Sequence, residues 1–184
     1  MPNHVLTQIV FRDVDAAAQA EILSKVSSAT AEIDFEALLP IPLNIWLGNV
    51  GTRHEKTFRA GNALEWCRDN WGTKWNAYGL SEGQGPRYST IAQTDDTLTL
   101  TFQTAWSTPY GWLVALQNGL GRRFEYRWLS EGQHDAFAGY FEPITEDWKR
   151  EPWSEYVADE QMRRHLHLLK WGVEEFPDED GDAA

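Results

Sequence analysis

Val5, Ile9 and Phe11 fall on one alternating face of residues 4–12, and Leu6 and Val10 fall on the other. That pattern predicts a strand covered on both sides. Asp15 then stands where an N-cap belongs, and Ala18, Ile22, Leu23 and Val26 recur at helical spacing as far as about Ser28. Pro40 and Pro42 prevent a regular helix or central strand, so the stretch around them reads as a crossing segment. A second helix is expected from about Glu55 to Asp69, with Phe58, Leu64, Trp66 and Cys67 as its apolar contacts and Gly61 weakening its early part.

Alternation returns in 73–78 and in 97–106, where Leu98, Leu100 and Phe102 share a face, and the glycine-rich 79–96 between them reads as a loop. Pro109 suits the first turn of a helix that turns Trp112, Leu113, Leu116 and Leu120 inward and ends at Gly119 and Gly121. Residues 122–132 and 136–144 read as a strand pair with Phe124, Tyr126 and Trp128 on one aromatic face, and a last helix is expected over 154–171. The order predicts an α+β domain of five strands, a ferredoxin-like split βαβ antiparallel sheet with helices over one face. Its body is 1–150, with an insertion at about 30–72. A C-terminal helix, 151–173, packs on or beside it, and 174–184 forms an acidic disordered tail.

Charge narrows the partners. The formal net charge is −12, and the six acids of the final eleven residues account for half of it, leaving the body at −6. Phosphate backbones and anionic lipid are disfavoured on this ground. The lone Cys67 excludes an intramolecular disulfide and a thiolate-rich metal site, and it reads as a small buried hydrophobe. No segment approaches the roughly 18 apolar residues of a membrane span, and no leader is visible, so a cytoplasmic protein is expected.

The segment "WCRDNWGTKWNAY", followed by "FQTAWSTP" and "FEYRWLSEG…FAGYF", resembles the YubB/Api group of plasmid- and phage-encoded proteins over most of residues 1–143. The resemblance implies a ferredoxin-like domain on a mobile genetic element and carries no catalytic residue with it. Read from the residues themselves, the motif is first a turn. Asn70 and Gly72 suit a helix end, Thr73 starts a strand, and Trp71, Trp75 and Trp106 fill the layer beneath. The alternative leaves some of these rings exposed, in a pocket with Lys74 and Gln103 at its polar edge.

Candidate chemistry is sparse. His165 and His167, two apart on a helix, point away from each other and make a poor zinc pair. His54–Glu55 and His134–Asp135 read as surface pairs, Ser107, Thr108 and Ser130 lack a nucleophile context, and "GQGP" and "GLGRR" lack the order of a phosphate loop. No metal and no cofactor are expected. The leading expectation is a non-catalytic accessory protein of a mobile genetic element, a binding or inhibitory protein that engages a basic host protein through an acidic surface including Glu155 and Glu160. A single-stranded nucleic-acid binder stacking bases on Tyr126 and Trp128 is the alternative, and an enzyme acting on a small molecule is a third.

Overall fold

A computed structural model describes residues 3–48, 61–78, 90–131, 135–143 and 153–174. Within them the chain runs β1 (His4–Arg12), α1 (Ala16–Val26), α2 (Phe35–Leu38), α3 (Ala63–Asn70), β2 (Thr90–Gln93), β3 (Thr97–Ala105) and α4 (Tyr110–Leu120). It continues through β4 (Phe124–Ser130), β5 (Phe137–Phe141), β6 (Trp153–Val157) and α5 (Glu160–Trp171). The strands make one open sheet in the order β2-β3-β1-β4-β5-β6, antiparallel at every pairing. The fold is α+β.

Alternation along β1 divides the interior in two. Ile9 and Phe11 join Leu98, Leu100, Phe102, Phe124, Tyr126 and Phe141 on one sheet face, against Ile22 and Val26 of α1, Phe35 of α2 and Trp112, Leu113 and Leu116 of α4. Leu6 and Leu129 point the other way and pack with Ala136 and with Leu166 of α5. Each such side chain removed from water contributes about 1.5–3 kcal/mol, so the central strand is held from both faces. Asp15 caps α1 by accepting from the Ala18 N–H at 2.8 Å, and Asp159 caps α5 through the Met162 N–H at 2.8 Å.

Four expectations change. The sheet has six strands among the described residues, because Trp153–Val157 extends along β5 where a helix was expected, and the last helix begins only after Asp159. That helix covers the second sheet face, so the helices do not share one side. Residues 73–78 form only a bridge at Tyr78 to Gln103, because Asn76 turns its side chain to the Phe35 N–H, the Ala77 N–H and Asp34, while β2 arises inside the expected loop. Gly119 lies within α4, which ends at Gly121 in a left-handed cap. The expected start of the second helix, His54–Glu55, His134, most of the loop 79–96 and the tail beyond 174 lie outside the described residues.

Candidate functional site

The tryptophan motif splits between interior and surface. α3 ends at Trp71, which is 1% exposed and donates its indole N–H to the Leu39 carbonyl at 2.9 Å while its ring meets Phe35 edge-on. Gly72 follows at φ +82, a conformation that strains any side chain, and the turn closes when Thr73 donates its hydroxyl to the Ala105 carbonyl at 2.9 Å. Trp75 is 37% exposed, with the Lys74 ammonium 4.9 Å from its ring centre. Cys67 is buried, and desolvation, aided by nearby Glu36, pushes its thiol up to about 11.

Trp106 is the outward ring of the set. It is 56% exposed and sits at φ +75, a left-handed conformation unusual for a bulky residue. The turn is held there by hydrogen bonds on both sides. The Trp106 N–H donates to the Asn3 carbonyl at 2.7 Å, Thr104 donates its hydroxyl to the Ser107 carbonyl at 2.7 Å, and the Ser107 hydroxyl donates to the Gly72 carbonyl. Beside it opens a cavity of about 390 Å³ lined by Asn3, Val5, Trp106, Ser107, Thr108, Tyr110, Trp128 and Ser130.

Behind two of those lining residues lies Glu155. Its Oε2 accepts from the Tyr110 hydroxyl at 2.5 Å, the Trp128 indole N–H at 2.9 Å and the Tyr126 hydroxyl at 3.0 Å. Register explains the meeting. Tyr126, Gly139 and Glu155 are cross-strand partners on β4, β5 and β6, and the bare glycine leaves room for the Tyr126 ring. A Cβ at 139 would stand 2.0 Å from the Ser154 carbonyl oxygen and 2.8 Å from that ring. Trp128 in turn stacks on Phe137, ring centres 4.5 Å apart. Burial, then the adjacent carboxylate, raises both phenols well above the ordinary tyrosine range.

Of the residues the sequence nominated, Tyr126, Trp128 and Glu155 converge on one carboxylate oxygen, and Trp128 and Trp106 border one cavity. Lys74 and Gln103 do not line it. Gln103 is 1% exposed on the α5 side of the sheet, opposite Leu6, and its Oε1 has no partner among the described residues. Glu160 is held instead by Arg163 and Arg164 at 2.7–2.8 Å, which pull its carboxyl down to about 2. Tyr110 escaped sequence reasoning because its partner lies on a strand 45 residues away. His167 contacts the Val173 carbonyl and the Trp171 ring, and among the described residues no group of His, Cys, Asp and Glu could hold a metal. No described helix is long and apolar enough to cross a membrane.

Compared with protein-family models, with curated proteins and with solved structures, the chain matches none.

Proposed function

We propose that the chain is a non-catalytic binding protein that engages a basic protein partner through the cavity rim around Trp106. The carrying observation is that indole itself. A large ring more than half exposed, on a backbone conformation that costs energy and is fixed by three hydrogen bonds, is the kind of anchor on which interface energy concentrates. Trp75, also partly exposed, lies on the segment tied to β3 beside it.

The net charge of −12 supports a basic partner by favouring its encounter over that of a nucleic acid. Glu155 and Glu160 do not act as a bare acidic patch in this reading, since one is held by ring donors and the other by arginines. Base stacking on β4 is disfavoured because Tyr126 is 1% exposed, which leaves Trp128, one face already stacked on Phe137, without a second ring on its strand to continue a run of bases.

In this reading the partner belongs to the host of a plasmid or phage, as the resemblance of the sequence motif to the YubB/Api group implies. The accompanying fold reading is ferredoxin-like, supported by the antiparallel order β2-β3-β1-β4 with α1 and α4 at its two crossovers. Capture from host lysate with and without nuclease, comparing the wild type with a folded Trp106→Ala variant, tests the function. A nuclease-resistant partner lost in the variant is expected. Undiminished capture by Trp106→Ala, or tight shifts of single-stranded probes at low salt, would overturn the reading.

A further inference from the structure

Hydrogen-bond direction gives the cavity a chemical preference. Ser107 donates its hydroxyl proton to Gly72, Ser130 donates to Asn3 Oδ1 at 3.2 Å, and Tyr110 and Trp128 donate to Glu155. Their donors point away from the cavity, and the hydroxyl oxygens of the two serines retain lone pairs to accept. Thr108, 2% exposed, adds a buried hydroxyl with no hydrogen-bond partner among the described residues. The side-chain donors of the lining without a stated acceptor are the Asn3 amide, the Trp106 indole N–H and the Thr108 hydroxyl, and the last of these can turn its proton aside and accept instead.

The backbone does not reverse this preference. α4 begins at the cavity, and a helix N-terminus ordinarily attracts anions. Here the amides of Tyr110, Trp112 and Leu113 donate to the carbonyls of Thr108, Trp71 and Pro109 at 2.9, 3.2 and 2.9 Å. They are turned back into the fold. Among the described residues no basic side chain lines the cavity, and one carboxylate stands behind its wall. That is Glu155, behind Tyr110 and Trp128. Three aromatic residues, Trp106, Tyr110 and Trp128, complete the wall, and phenol or indole groups that donate to a carboxylate present more electron-rich rings to a cation.

We propose that this cavity is a receptor for an arginine side chain of the partner, the guanidinium lying among Trp106, Tyr110 and Trp128 and donating to Ser107, Thr108 and Ser130. Arginine fits better than lysine because a planar fork with five donors can stack on rings and reach several acceptors at once. The proposal deepens the function proposed above and rests on it for the source of the arginine, while the cavity chemistry can be tested without the partner.

The probes are acetyl-Gly-Arg-Gly-amide and its lysine and citrulline counterparts, titrated into the full chain while the indole N–H resonances are followed. The arginine peptide is expected to shift Trp106 and Trp128, and to bind at least tenfold more tightly than the citrulline peptide, which keeps shape and loses charge. Thr108→Val, chosen because it conserves volume at an unpartnered hydroxyl, is expected to weaken arginine binding severalfold with its melting temperature close to the wild type. Equal response to arginine and citrulline, preference for an acidic peptide, or shifts confined to Trp75 and Trp153 would overturn the assignment. Loss of arginine discrimination alongside retained, Trp106-dependent capture of a partner would sink the arginine receptor alone. Discrimination without any such partner would sink the function and leave the receptor standing.

Discussion

Tyr126 on β4 hydrogen-bonds Glu155 on β6 at 3.0 Å although β5 runs between their strands. The span is possible because β5 presents Gly139 at that row, where a methyl group would press against the Ser154 backbone and the Tyr126 ring. One missing side chain thus lets two others meet, and it ties the outer strand of the sheet to the cavity wall through Tyr110 and Trp128.

Gly139→Ala is therefore expected to displace β6. The nearest obstacle is a backbone oxygen, which cannot rotate aside, so the cost is on the order of 2–3 kcal/mol, the upper part of the range for overpacking. Chemical denaturation and the position of the Trp128 indole N–H resonance check it. Unchanged stability together with an unchanged indole resonance would show that β6 does not pack as described.

Alkaline titration should show Tyr110 and Tyr126 ionising late, along with Tyr78, whose phenol is pushed up to about 12 by burial and then by Glu131. The Tyr110 and Tyr126 phenols are raised by burial and by the Glu155 carboxylate, so the folded state keeps their protons after the unfolded chain begins to release them near pH 10. Their contribution to stability is complete below that pH and declines as pH rises past it. Glu155→Gln removes the carboxylate charge and retains an acceptor oxygen, so ultraviolet titration is expected to show these two phenols ionising earlier than in the wild type. Superimposable titration curves would contradict the three-donor arrangement.

Tryptophan truncations should sort by burial. Trp71→Ala empties a site that is 1% exposed and strips the Leu39 carbonyl of its donor, which costs about 3–5 kcal/mol. At 106 the comparison is between two small residues. Glycine tolerates φ +75 and alanine does not, so Trp106→Gly is expected to be more stable than Trp106→Ala by about 1 kcal/mol, the reverse of their order in a helix or strand. Equilibrium unfolding of the three variants checks both statements.

The legible parts of the chain were those whose signals are local. β1 shows in its alternation, α1 in Asp15 and the apolar spacing after it, and α4 in Pro109 and Gly121. β6 was hidden because the apolar spacing of Ala158, Met162, Leu166 and Leu169 runs up to it, and the cap that divides strand from helix, Asp159, is one acid among several. The site was half legible. Trp106, Trp128 and Glu155 stood out as residue types, but sequence reasoning put Glu155 on an acidic surface, since nothing local announces that three ring donors from β4 and α4 will converge on it. The donor directions that distinguish this cavity are tertiary facts.

Lys170 supplies a test of how α5 is seated. It is 3% exposed, donates to the His4 carbonyl at 2.6 Å and lies 5.2 Å from the centre of the Trp171 ring. Desolvation pulls its ammonium down to about 8, with Glu131 opposing the shift. Between pH 8 and the ordinary lysine range near 10.4, the unfolded chain holds a proton that the folded one has released, so this residue makes stability rise with pH across that window. Below pH 8 both states are protonated and the penalty for burying the charge persists, at most about 3 kcal/mol given roughly 1.4 kcal/mol per pKa unit. Lys170→Met removes the titrating group. The His4 carbonyl stays satisfied in that variant by the Glu131 N–H at 3.2 Å. The variant is expected to exceed the wild type in stability at pH 7 and to lose more than half of that advantage by about pH 9.5, before the raised tyrosines ionise. Denaturation midpoints of the two proteins across that range provide the measurement, and a constant difference between them would mean that the ammonium is solvated and that α5 is not docked over the start of β1.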